Sequence, residues 1–87
     1  MSEAAARVFT ALVKLIANGE WLDGEELPGM RELMVSWQIS MTTAAEVTVA
    51  LKADGVATAG SVRGTAVAAG GREAARRWLL ENGQAPV

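Results

Sequence analysis

Residues 27–55 constrain the fold of this chain more than any other stretch, because they contain two short helical patterns separated by a tight turn. Pro28 ends the segment before it, since its ring fixes φ and its nitrogen has no hydrogen to donate. Met30, Leu33 and Met34 then repeat at the three-to-four spacing of a helix. A first short helix is therefore predicted to begin just after this proline.

The second helical pattern begins at Ser40, after a turn predicted at residues 37–39, and it ends near Gly55. A serine hydroxyl caps a helix by accepting a hydrogen bond from an orphan N–H in the first turn. Gly55 stands where a left-handed residue would end the helix. Apolar residues at helical spacing give this helix an inner face: Ala44, Val47 and Leu51. Two short helices about a tight turn predict a helix-turn-helix.

The rest of the chain predicts two further helices and a hairpin. An apolar stripe runs through residues 3–18, so a helix is expected there, with Ser2 as a candidate N-cap and Gly19 placed to end it. The runs 56–59 and 65–68 are β-capable and flank a turn at 60–64, which predicts an antiparallel hairpin. Residues 72–82 predict a last helix before a short tail.

The segment that joins the first helix to the second is predicted to be a loop. Trp21, Leu22 and Leu27 are its large apolar residues, and we expect them to tuck under the first helix. Glu25 and Glu26 are expected to be solvated.

Composition excludes several classes of function. The chain has 87 residues, enough for one domain, and contains neither cysteine nor histidine. It therefore has no disulfide or thiolate metal site and lacks the commonest general base and metal ligand. We expect no catalytic residues, no bound metal and no cofactor. Because no apolar run approaches the ~20 residues of a membrane span, we also expect a cytoplasmic protein with no membrane partner.

Several short motifs carry a resemblance to a known family, the GntR-type bacterial transcription regulators. They are Gly24, Leu27-Pro28, Arg31-Glu32-Leu33, Ile39-Ser40, Thr42-Thr43, Glu46, Leu51, Gly55, and Arg63-Gly64-Thr65 followed by Val67. The match runs without a gap from about Gly19 to Ala68. It implies a mainly α fold with a small β-hairpin, a winged helix-turn-helix spanning residues 1–69.

The resemblance also implies binding to double-stranded DNA, as a homodimer, by a transcription regulator without enzymatic activity. The recognition helix, residues 41–54, would enter the major groove, and the wing, residues 60–65, would reach toward the minor groove. The positions that correspond to DNA-contacting residues of the family are Arg31, Ser40, Met41, Thr42, Thr43, Ala45, Arg63, Gly64 and Thr65.

Charge is the main departure from the family pattern. The formal net charge is −2, and family members often have arginine at the positions of Met41 and Ala45. Because phosphate contacts supply most nonspecific affinity, we expect weak nonspecific binding, a need for dimers or a partner, or loss of DNA binding altogether. The alternative is a winged-helix protein-interaction or accessory module with a protein partner, which Ala45, Glu46 and Val49 on one exposed face would favour.

Residues 70–87 follow the wing, whereas family members usually carry a larger C-terminal domain. No small-molecule pocket is therefore expected. The last helix is the candidate dimerisation element, with Ala75, Trp78 and Leu79 as the expected contact.

Overall fold

A computed structural model describes residues 1–60 and 64–84, which form four helices and a two-stranded antiparallel sheet. The elements, in chain order, are α1 (Glu3–Ala17), α2 (Met30–Trp37), α3 (Met41–Ala53), β1 (Ala57–Ala59), β2 (Thr65–Val67) and α4 (Gly71–Glu81). This order confirms the predicted mainly α fold with a small hairpin. Part of the predicted turn at 60–64 and of the tail lies outside the described residues.

Local signals set the bounds of the first and third helices. The Ser2 hydroxyl accepts a hydrogen bond from the Ala5 N–H at 3.1 Å, and the Ser40 hydroxyl accepts one from the Thr43 N–H at 3.1 Å. Gly19 and Gly55 follow the two helices with φ of +86° and +75°. Both predicted caps and both predicted stops are therefore confirmed.

The turn between α2 and α3 is shorter than predicted, since Trp37 still belongs to α2. Gln38 has φ 53° and ψ 53°, a left-handed conformation that ends the helix. The Ile39 N–H then donates to the Met34 carbonyl oxygen at 3.1 Å. This single left-handed residue turns the chain into α3.

A segment before α2 that is predicted to be a loop also pairs antiparallel with the two-stranded sheet, through a bridge between Glu26 and Ala66. β1 pairs with one edge of β2, with Ala57 opposite Val67. On the other edge, the Gly24 N–H donates to the Val67 carbonyl oxygen and the Leu27 N–H donates to the Thr65 carbonyl oxygen, each at 2.8 Å. The chain before α2 is thereby fixed to the base of the hairpin.

α1 lies at the centre of the core and packs against both α3 and α4. Its largest buried side chains are Phe9 and Ile16, which are 1% and 0% exposed. Leu27 is buried and Trp21 is partly buried against this core, as predicted. Leu22 is 53% exposed, so its predicted burial is wrong: the sharp turn at 23–24 points it outward.

Residues of α4 belong to the same core as the helix-turn-helix. The expected boundary at residue 69 therefore does not divide the chain into two parts with separate cores. Ala75 and Leu79 are both fully buried within the single chain. The structure therefore corrects their expected role in a dimer contact, because the core of one copy already covers them. Trp78 is partly buried, and its ring meets Phe9 edge to face, with centroids 5.0 Å apart.

Candidate nucleic-acid interface

α3 turns one face into the core and the opposite face outward. Ala44, Val47 and Leu51 are buried against the rest of the chain. Thr42, Ala45 and Val49 recur at helical spacing on the other side, so they lie one above another along the outer face. We call these three residues, with the flanking Met41, the outer face of α3.

The outer face of α3 is apolar and largely open. Met41 is 62% exposed and Val49 is 66% exposed, while Ala45 is partly buried. An open groove of about 470 Å³ runs along this side of the helix. Its lining residues are Met1, Thr42, Ala45, Glu46, Val49 and Ala50. Val49 is absent from the DNA-contacting positions that the resemblance supplies, but its helical spacing from Thr42 and Ala45 places it with them.

The hydroxyls at the start of α3 hold the helix end together. Ser40 accepts from the Thr43 N–H and also donates its own hydroxyl hydrogen to Thr43 Oγ1 at 3.0 Å. Thr42 is exposed, whereas Thr43 is partly buried. Ser40 and Thr43 therefore shape the helix N-terminus, and Thr42 is the hydroxyl that lies on the outer face.

Glu46 points toward the start of α1. One of its carboxylate oxygens accepts a hydrogen bond from the Ser2 N–H at 3.1 Å, and the side chain is partly buried. A negative charge there is favourable because the N-terminus of a helix carries partial positive charge. The expectation that Glu46 shares one fully exposed face with Val49 is thus only partly met, since Glu46 links α3 to α1.

Arg31 is exposed in the first turn of α2, the helix that packs against α3. α2 has Gly29 as its N-cap residue and no side-chain cap. Arg31 therefore extends from the helix-turn-helix without a role in the core. The guanidinium group could fork onto a phosphate or a guanine edge.

The predicted wing, residues 60–65, ends at Thr65, the first residue of β2. Gly64 and Thr65 are partly buried, and Arg63, the third predicted wing residue, lies outside the described residues. The Glu26 carboxylate lies beside Gly60 and Gly64, where the wing joins the sheet. A Cβ added at Gly60 would be 2.6 Å from Glu26 Oε2, and one added at Gly64 would be 3.0 Å from the same oxygen. Glu26 is exposed, as predicted, but its contact with the wing was not predicted, because no local sequence signal reveals it.

Among residues 1–60 and 64–84, no group of acidic side chains is placed to hold a metal ion. In the same part of the chain, no helix has the length and apolar character needed to cross a membrane.

Several solved structures superpose on this chain. Over 94% of this chain, BusR from S. agalactiae in complex with its busAB-promotor DNA superposes with a TM-score of 0.81 at 21% identity. A GntR family transcriptional regulator from Listeria monocytogenes gives 0.81 at 15% identity, and a transcriptional regulator from Oenococcus oeni gives 0.77 at 18% identity, each over 94% of this chain. At such identities the likeness shows the fold alone.

The solved structures are longer than this chain, which spans 39% of the BusR chain, 74% of the Listeria chain and 71% of the Oenococcus chain. No curated protein sequence matches it. The model of the family described as bacterial regulatory proteins, gntR family, matches residues 4–67, from α1 through β2. Since this match covers most of the chain, the protein belongs to the gntR family of bacterial regulatory proteins.

Proposed function

We propose that this protein binds double-stranded DNA as a transcription regulator, with α3 in the major groove and the wing near the minor groove. The observation that carries the proposal is the outer face of α3, which a helix-turn-helix of this family turns away from the core. The same fold occurs in BusR, whose structure includes promoter DNA. The family match supports this proposal over the alternative of a protein-interaction module.

Each predicted site residue has a role in this proposal. Met41, Thr42 and Ala45 face base edges, and Arg31 contacts the duplex from the start of α2. The backbone N–H groups of Met41 and Thr42 lie beside a phosphate, which the helix dipole favours, while Ser40 and Thr43 hold this helix end through their own hydrogen bonds. Gly64 and Thr65, together with Arg63, form the contact of the wing.

The proposal includes a homodimer, because one helix-turn-helix reads only one half-site and dimers read two half-sites about one helical turn apart. Ala75 and Leu79 are unavailable for the subunit contact, so the exposed side of α4 is the candidate surface. It carries Leu80, which is 70% exposed, beside the exposed Arg76 and Arg77. The cytoplasm is the compartment in which a bacterial protein with this function would meet DNA.

A duplex-binding titration with two opposite charge changes tests the proposal. Met41→Arg adds a cation to the outer face of α3, so log affinity should fall more steeply with log salt, by about 0.9 for one new phosphate contact. Arg31→Ala should make that slope shallower by about 0.9, or cost about 1–3 kcal/mol at one base pair if Arg31 meets a base edge. Fluorescence anisotropy at several salt concentrations measures both effects.

Matched variants away from α3 and α4 separate a contact from a change in net charge. Leu22→Arg adds the same charge at another exposed apolar position, in the loop before α2, and Arg7→Ala removes the same charge as Arg31→Ala from an exposed position on α1. Both controls should leave the salt slope near that of the wild type. If Met41→Arg and Leu22→Arg act alike, α3 does not face the duplex and the proposal is wrong.

A further inference from the structure

The outer face of α3 has few groups that could form hydrogen bonds with bases in the major groove of DNA. Of its four residues only Thr42 has a polar group, and Met41 and Val49 are each more than half exposed. The whole of α3 contains no arginine, and its one lysine, Lys52, lies in the last turn. The arginine fork onto guanine is therefore unavailable to this helix.

The fold itself does not explain these exposed apolar side chains. α3 contacts α1, α2 and β1, and its core contacts are made by the buried inner face. A continuous apolar surface that its own chain leaves open usually marks a site of interaction. Here the surface runs along the helix that the proposed function places in the major groove.

One base offers an apolar group in the major groove. Thymine carries a C5-methyl group beside its O4 acceptor, and alanine side chains and threonine methyl groups make apolar contacts with it. Adenine, guanine and cytosine present hydrogen-bonding atoms at their major-groove edges and carry no methyl group there. A row of methyl-bearing side chains is thus complementary to thymine-containing sequence.

We infer, on the basis of the proposed function, that this protein recognises its DNA site through thymine C5-methyl groups. The outer face of α3 contacts these methyl groups in the major groove. Met41 and Val49 are the specificity-determining residues, because they present the most exposed apolar surface. Ala45 lets the bases approach between them, and Thr42 adds one methyl and one hydroxyl. Sequence specificity here depends on apolar burial, which salt weakens little compared with phosphate contacts.

Uracil substitution measures this contact directly, since deoxyuridine keeps the O4 acceptor of thymine and lacks the methyl group. The probe is a pool of random 20-base-pair duplexes, enriched by several rounds of binding to the wild-type protein. The enriched pool is then amplified with either dTTP or dUTP. Burial of one methyl is worth about fourfold in affinity, so two contacted methyls should make the thymine pool about tenfold or more tighter than the uracil pool.

A variant assigns the effect to α3. Met41→Gln combined with Val49→Ser removes apolar surface at two exposed positions, so the fold should persist, which circular dichroism checks. In this variant the thymine-to-uracil affinity ratio should fall toward one. Leu22→Gln removes an exposed apolar side chain from the loop before α2 and should keep the wild-type ratio.

The outcomes separate the two proposals. Tight binding of the enriched pool with equal affinity for its thymine and uracil forms overturns the methyl contact and leaves DNA binding intact. A ratio that survives in the α3 variant also overturns the assignment to this face. Failure to enrich or bind any duplex overturns the proposed function and this inference together, and it returns the outer face of α3 to the protein-contact alternative.

Discussion

Gly71 occupies a place where the backbone of α4 meets the sheet without room for a side chain. A Cβ there would press on the Val56 carbonyl oxygen and lie 2.7 Å from Val67 Cγ1. The Gly71 N–H donates to the Ala68 carbonyl oxygen at 2.7 Å, which holds the turn into α4 close to the hairpin. Because one of the obstructing atoms is backbone, a rotamer change cannot relieve the contact.

We therefore expect Gly71→Ala to lower the free energy of unfolding by about 1–3 kcal/mol, the usual cost of overpacking a core. Urea denaturation followed by tryptophan fluorescence measures it. Gly29→Ala is the matched control: its φ is −72° and nothing lies within 4 Å of an added Cβ. The control should change stability by less than about 1 kcal/mol. Equal effects of the two substitutions would contradict the close approach at Gly71.

At the scale of elements, a loop residue caps α4 from far away in the chain. The N-cap position of α4 is Gly70, which has no side chain to offer. Asp23 takes its place: Oδ2 accepts from the Gly70 N–H at 2.8 Å, and Oδ1 accepts from the Arg72 N–H at 3.3 Å. Arg72 Nε in turn donates to the Ala17 carbonyl oxygen, at the end of α1, at 3.0 Å. These contacts connect the end of α1, the loop and the start of α4.

Asp23→Ala should therefore lower the free energy of unfolding by about 1–2 kcal/mol, the range for loss of an aspartate cap. Asp23→Asn should lose less, because the amide oxygen still accepts one of the two hydrogen bonds. Glu20→Ala removes the same charge from an exposed position in the same loop and serves as the control. Thermal unfolding by circular dichroism compares the three variants. Should Glu20→Ala cost as much as Asp23→Ala, the effect is one of net charge and not of capping.

The sequence predicts the elements whose signals are local. Ser2 and Ser40 cap α1 and α3 through N–H groups three residues away, and the helical spacing of α3 separates its inner and outer faces. The contacts that sequence analysis missed join distant segments. Asp23 reaches Gly70 across 47 positions, and the pairing of the segment before α2 with β2 spans a similar separation. Propensity and periodicity contain no information about such pairs.

The candidate site likewise contains residues that the sequence could locate and contacts that only the complete fold reveals. The family resemblance supplied Met41, Thr42 and Ala45 as DNA-contacting positions, and the structure has them on the outer side of α3. The sequence did not place Glu26 against the wing, because that contact depends on the whole path of the chain around the sheet. An apolar stripe also cannot reveal whether its own chain or a second copy covers it. For that reason Ala75 and Leu79 suggested a dimer contact, although they belong to the core.

At the scale of the whole molecule, α4 is the element whose role decides how the chain is organised. Ala74, Ala75 and Leu79 complete the core around α1. Trp78 lies at the rim of this core, where its ring packs against the buried Phe9 ring. An 87-residue domain has little stability to spare, because it buries roughly 60% of its unfolded surface. The molecule therefore depends on α4 for folding, whatever further contact α4 makes with a second copy.

Trp78→Ala should lower the free energy of unfolding by about 3 kcal/mol, near the low end for truncating a core tryptophan, since the ring is only partly buried. Trp78→Phe keeps an edge-to-face partner for Phe9 and should recover much of the loss. Leu80→Ala, at the exposed neighbouring position, should change stability little. Because the Phe9 contact is within one chain, the loss should be the same at low and high protein concentration. A loss that grows with concentration, accompanied by a shift of the sedimenting species from dimer to monomer, would mean that Trp78 also contacts the second subunit.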